Sequence, residues 1–309
     1  MPVVIHMSTV QTHPVLSRDD TLARTGRLIL RSQLEAVSPV DWCMQEGEQL
    51  TSGKVHRLRV TTRRLRSTLR VFRPYYKNKA LQPILRGLRD LSGALTHARE
   101  QDVSLRALES YQRSADEEAR LHLEPVLEIW RQEREVERLA CAGYLGGERH
   151  AAWLRNLSTF VQSVAGDRPQ KTGQPYYLRH VLDVLVDKDL AAVRVYDTLP
   201  PQPRVRDIHT LRIAVKRLRN LCETLKELLQ PERSAAIIAA CAQAQDDYGA
   251  LVDAYLSAQR ALRFVAERRA QYDDPQALRA ILSFARDRQC VVNDGLAGWK
   301  RPVEPLFVL

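Results

Sequence analysis

The chain has 309 residues, 44% hydrophobic and 27% charged, a balance that suits a globular protein with one large core or two. Its formal net charge of +10 points to a polyanionic partner (nucleic acid, polyphosphate or an acidic membrane surface) without choosing among them. Five cysteines with no CxxC pair, Cys43, Cys141, Cys222, Cys241 and Cys290, argue against a disulfide framework or a zinc site and predict reduced, mostly buried thiols in a cytoplasmic protein.

Residues 1–17 are expected to form a flexible tail, and their sequence lacks the basic-then-apolar order of a signal peptide. A helix is predicted over about 19–37, with Leu22, Leu28, Leu30 and Leu34 as apolar positions, Arg24, Arg27 and Arg31 as a basic edge and Pro39 as its stop. Residues 41–53 lead into a second helix, Val55 to Phe72, which ends before Pro74. A third is predicted over about 81–95 through Leu85, Leu88, Leu91 and Leu95, with a continuation to Leu108 left open. From 117 to 145 the pattern is helical and densely charged, with Leu121, Leu123, Val126, Leu127 and Trp130 as its apolar positions.

Gly146-Gly147 breaks that run, a short helix covers 153–164, and GDRPQKTGQP at 166–175 reads as a linker. A helix over about 177–196 is followed by a stiff turn carrying Pro200, Pro201 and Pro203. Another helix runs from Ile208, one or two Ala-rich helices occupy 234–269, and a last one covers 275–294 before a C-terminal tail at 296–309. No stretch alternates apolar and polar residues as a strand would, and no apolar run approaches membrane-spanning length. The fold class is all-α.

Two of these helices are copies. VHRLRVTTRRLRSTLRVF at 55–72 aligns without a gap on IHTLRIAVKRLRNLCETL at 208–225, an offset of 209 − 56 = 153 between the histidines. Such self-similarity predicts an internal duplication, with halves at about 18–165 and 176–295. On a helical projection Leu58, Leu65, Leu69 and Phe72 form a core stripe, while His56, Arg59, Arg63, Arg66 and Arg70 lie close to the opposite side. The second copy opposes Leu211, Leu218, Cys222 and Leu225 to His209, Arg212, Lys216 and Arg219. Like charges at i, i+3 and i+4 repel, and a solvated face ordinarily mixes signs, yet 55–72 contains no acid and 208–225 only Glu223, at the position of Arg70. These faces read as anion-binding surfaces. The two histidines fit a helix-start donor and a phosphate contact equally well. Arg57 and Arg64 lie off the centre of the face, and Arg64 and Arg217 fit pairing with acids of adjacent helices.

These residues resemble the CHAD (conserved histidine α-helical domain) family, typified by His-x-x-Arg-[Val/Ile]-x-x-[Arg/Lys]-Arg-x-Arg occurring twice. His56, Arg59, Val60, Arg63, Arg64 and Arg66 match it, as do His209, Arg212, Ile213, Lys216, Arg217 and Arg219. A following Leu-Gly-x-x-Arg-Asp-x-Asp-Val segment corresponds to Leu95–Val103, with departures at Thr96 and Glu100; Tyr248, Gly249 and Asp253 stand at the equivalent places in the second half. The resemblance covers about 21–286. It implies two pseudo-symmetric helical bundles around a central basic pore, and non-catalytic binding of inorganic polyphosphate, with association with polyphosphate granules in the cytoplasm.

The implied contacts are His56, Arg59, Arg63, Arg66, Arg70, His209, Arg212, Lys216 and Arg219, with Arg27 and Arg31 at the edge. Arg forks bridge phosphate oxygens and Lys216 acts as a point charge. No cofactor or metal is expected: the sequence has no P-loop or HExxH, and Glu100, Asp102 and Asp253 fit caps and salt-bridge partners better than metal ligands. A general polyanion or nucleic-acid binder is the alternative, although aromatics for base stacking do not interleave the basic helices. An accessory module to a phosphate-processing enzyme is another. The oligomeric state is left open by the sequence.

Overall fold

The computed structural model describes residues 15–45, 47–169, 176–268 and 274–299. Among them there are helices and two isolated bridges, Thr21 to Tyr177 and Tyr76 to Asp167, and no strand. The α-helices are α1 (Leu22–Glu35), α2 (Pro39–Trp42), α3 (Ser52–Phe72), α4 (Asn78–Ser114), α5 (Glu117–Gly146), α6 (Glu148–Gln162), α7 (Leu182–Arg194), α8 (Val205–Leu225), α9 (Pro231–Arg268) and α10 (Pro275–Ala297). The predicted tails fall largely outside the described residues.

The offset read from the sequence recurs in the helix ends. Adding 153 to the bounds of α3 gives 205 and 225, the bounds of α8. Adding it to those of α4 gives 231 and 267, against Pro231 and Arg268 for α9.

The residues divide into two compact units. One comprises the described chain through Arg99, Arg138–Asp189 and Asn220–Ala235; the other comprises Glu100–Glu137, Leu190–Arg219 and the chain from Ala236. In the first, α1 packs on α3 and α6. Leu30 and Leu34 of α1, Leu58, Leu65, Leu69 and Phe72 of α3, Leu88, Leu91 and Leu95 of α4 and Leu157 of α6 are buried. The stripe assigned to α3 is therefore its core face.

Two glycines permit close approach in this unit. A Cβ on Gly26 would lie 2.2 Å from the Tyr76 hydroxyl and 2.8 Å from Phe72 Cβ, and one on Gly87 would lie 2.0 Å from Trp153 Cδ1. Three large polar side chains drawn into the core are satisfied: Tyr76 donates to Ala23 O, Trp42 to Leu34 O and Trp153 to Ile84 O. Buried Lys54 donates to Val40 O, Cys43 O and Glu48, which fixes the loop before α3 against its first turn.

The second unit is built on Leu105 and Leu108 of α4, Leu123, Leu127 and Trp130 of α5, Phe264 of α9 and Ile281 and Phe284 of α10. Phe264 and Phe284 meet the Trp130 ring edge-on, and the Arg260 guanidinium lies 4.0 Å from its centroid while donating to Glu133 at 2.9 Å.

Several boundaries differ from the sequence reading. Pro39, expected to stop α1, instead opens α2, where a proline at the first helical position costs no hydrogen bond. α4 is a single helix of 37 residues. Its first part feeds one core and its last part the other, and buried Asp102 and Ser104 interrupt the apolar pattern between them. The Ala-rich segment is likewise one helix of 38 residues. α6 starts directly after Gly147, and the helix expected over 177–196 splits into a short 3-10 turn, Leu178–His180, and α7. Leu121 is exposed, and Leu28 half-buried, with Ile29 taking the core position. The start of the expected linker is tied down: Lys77 N donates to Gly166 O at 2.8 Å and Arg168 N to Tyr75 O at 2.9 Å; 170–175 lie outside the described residues.

Candidate anion-binding faces

α3 begins at a Thr51 cap, whose hydroxyl accepts from Lys54 N at 3.1 Å. His56 is therefore the fifth helical residue, as His209 is in α8, and capping belongs to other residues. With Leu58, Leu65 and Leu69 turned into the core, the helical period carries the basic residues outward. His56, Arg63, Arg66 and Arg70 are exposed and Arg59 half-buried.

What holds these side chains separates them. Arg59 donates to Thr96 Oγ1 at 3.1 Å and Arg66 approaches Ser92 Oγ at 3.4 Å, both on α4. A hydroxyl orients a guanidinium without neutralising it, so the Ser92 contact leaves Arg66 its charge and further donors for an anion. Arg70 differs: it makes a two-pronged pair with Asp189 at 2.9 and 2.5 Å. Ser92 and Asp189 carry no motif and were missed in the sequence. Ser92 was recoverable from the α4 register, because 89, 92, 96 and 99 fall on one helical stripe, which also places exposed Arg89 beside it. Asp189 had no local signal.

On α8, His209 is exposed, and Arg212, Lys216 and Arg219 are half-buried. Arg212 Nη1 lies 3.9 Å from Asp253, an ion pair longer than a hydrogen bond, and its Nη2 is 3.6 Å from where a Cβ on Gly249 would sit. The pairing of α3 with α4 and of α8 with α9 thus shares one register: 212 − 59 = 153 and 249 − 96 = 153. The His209 imidazole, exposed overall but with part of its ring shielded from water, is pushed below its ordinary pKa first by that partial desolvation and then by Arg212 and Lys216.

The remaining candidates are placed differently. Arg27 is buried and paired with Asp167, and Arg31 donates to Val161 O at 3.0 Å, so the basic edge expected on α1 is tied into the fold. Arg57 forks onto Asp41 at 3.2 and 3.1 Å. Arg64 and Arg217, expected to pair with acids, are exposed, and among the described residues neither has an acidic partner. Asp102 is buried, whereas Glu100 and Asp253 are exposed; among the described residues no group of three His, Cys, Asp or Glu side chains is arranged to hold a metal ion.

The CHAD domain model matches residues 40–262, most of the chain and both basic helices. The protein belongs to the CHAD family. A comparison with curated proteins gave no match. Among solved structures, this CHAD chain is similar to the CHAD domain from the plant Ricinus communis, at 18% identity and a TM-score of 0.69, covering 96% of this chain and 99% of that one. It is also similar to PptA from Streptomyces chartreusis, at 17% identity and a TM-score of 0.64, covering 89% and 94%. At these identities the likeness concerns the fold. No described helix of the CHAD chain is long and apolar enough to cross a membrane.

Proposed function

We propose that this CHAD protein binds inorganic polyphosphate without transforming it, along the basic faces of α3 and α8. The observation that carries the reading is the repeated His-Arg-Arg/Lys-Arg face. On α3 its arginines Arg59 and Arg66 are oriented by the hydroxyls of Thr96 and Ser92, and Arg66 keeps its charge there. From His56 to Arg66 each face rises about 15 Å, a linear array suited to a linear polyanion. Neither face carries an aromatic side chain for base stacking, which favours polyphosphate over single-stranded nucleic acid. A cytoplasmic location at polyphosphate granules belongs to the same proposal.

The test is equilibrium binding of long-chain polyphosphate across a salt series, with RNA and single-stranded DNA as competitors at equal charge, together with an orthophosphate-release assay on the bound chain. Tight, salt-sensitive binding that nucleic acid does not displace, with no phosphate released, is the expected result. Equal displacement by RNA would make the protein a general polyanion binder, and phosphate release would make it an enzyme.

A further inference from the structure

We infer that Asp189 withdraws Arg70 from the anion-binding face of α3 and so sets where that face ends. The inference rests on the polyphosphate reading and deepens it. Arg70 continues the α3 series at i+4 from Arg66 and is one third exposed, so by sequence and position it belongs to the face. Asp189, on α7, is buried, with 7% of its side chain exposed, and takes both prongs of the Arg70 guanidinium at 2.9 and 2.5 Å.

A phosphate competing for Arg70 has to leave that largely buried carboxylate charged and unpaired, which is far costlier than parting a guanidinium from a hydroxyl. Arg66, which rests on Ser92, faces only the smaller cost. α8 reaches the same result by another route, since 70 + 153 = 223 and residue 223 is glutamate. The fourth cationic position of the series is therefore lost on both helices, on α3 by neutralisation and on α8 by replacement. Asp189 has no counterpart in the first half, where 189 − 153 = 36 is alanine. This fits a device that answers the extra arginine of one copy alone.

The experiment has two readouts. Phenylglyoxal modification of the unliganded protein, mapped by mass spectrometry, reads the pair directly: Arg70 should be protected in the wild type and reactive in Asp189→Asn, and equal reactivity would overturn the inference. Polyphosphate binding across a salt series reads the consequence. Freeing one cation should steepen the slope of log K against log salt by about 0.7 in Asp189→Asn and tighten binding about fivefold at 0.1 M salt. Arg70→Gln should leave the slope at its wild-type value, and the Arg70→Gln/Asp189→Asn double variant should return to it, guarding against a fold disturbed by an unpaired Asp189. A slope that falls as much in Arg70→Gln as in Arg66→Gln would overturn the inference while the site reading stood. No polyphosphate binding by the wild type, with Arg70 still protected, would overturn the site reading and with it the bounding of a phosphate track.

Discussion

Replacing Arg59, Arg63 and Arg66 together by glutamine removes the permanent charge of the α3 face and leaves its core face untouched, since Leu58, Leu65 and Leu69 point the other way. The magnitude follows from counting the cations proposed to meet phosphate. With Arg70 held by Asp189 and Arg27 by Asp167, the proposed phosphate contacts are Arg59, Arg63 and Arg66 on α3 and Arg212, Lys216 and Arg219 on α8. For a flexible polyanion each neutralised phosphate contributes about 0.7 to the salt slope, so the wild type should show a slope near −4, and the triple variant a slope near −2. Raising salt from 50 to 200 mM should then weaken the wild type a few hundredfold and the variant about twentyfold. Fluorescence anisotropy of end-labelled polyphosphate titrated at several salt concentrations measures both. Arg64→Gln/Arg217→Gln is the control, because these exposed side chains lie off the faces; its slope should match the wild type. The reasoning is refuted if the triple variant keeps the full slope, or if the control loses as much per charge, which would mean that net charge and not the α3 face governs binding.

Binding should also tighten as pH falls through the ordinary histidine range. Burial, Arg212 and Lys216 depress His209 in the free protein, a phosphate beside it favours the charged ring, and proton uptake is thereby linked to binding. His209→Gln should flatten the pH dependence of Kd in isothermal titration. The same depression acts oppositely on stability: the unfolded chain takes up the proton first, so His209 costs stability as pH drops below about 6.5. Gly87→Ala drives a methyl to 2.0 Å from Trp153 and threatens its bond to Ile84 O, and should destabilise the fold by about 1–3 kcal/mol in chemical denaturation. Thiol labelling of the native protein at pH 8 should find Cys290 reactive and Cys43 slow, its thiol pushed up by burial. Cys141, Cys222 and Cys241 should stay silent until unfolding, since all three are buried and burial, then Asp189, pushes Cys222 up to about 12.

By itself the sequence determined the helical class, the two copied helices and which side of each is basic. Those properties are local: a 3.6-residue period with Leu58, Leu65 and Leu69 on one side leaves Arg59, Arg63 and Arg66 no direction but outward, and repeating the segment repeats the result. It also located most of the core, because a long apolar stripe has to be buried somewhere. What each cation meets was not legible. Arg27 and Arg66 are both surface-patterned arginines of amphipathic helices, yet one is buried against Asp167, 140 residues away, and the other rests on a neutral serine. Arg70 completes a periodic series in the sequence and loses its place to Asp189, 119 residues on. Whether a positive charge is available to a ligand depends on the partner that packing brings to it, and packing pairs residues by their place in the fold and not by their distance along the chain.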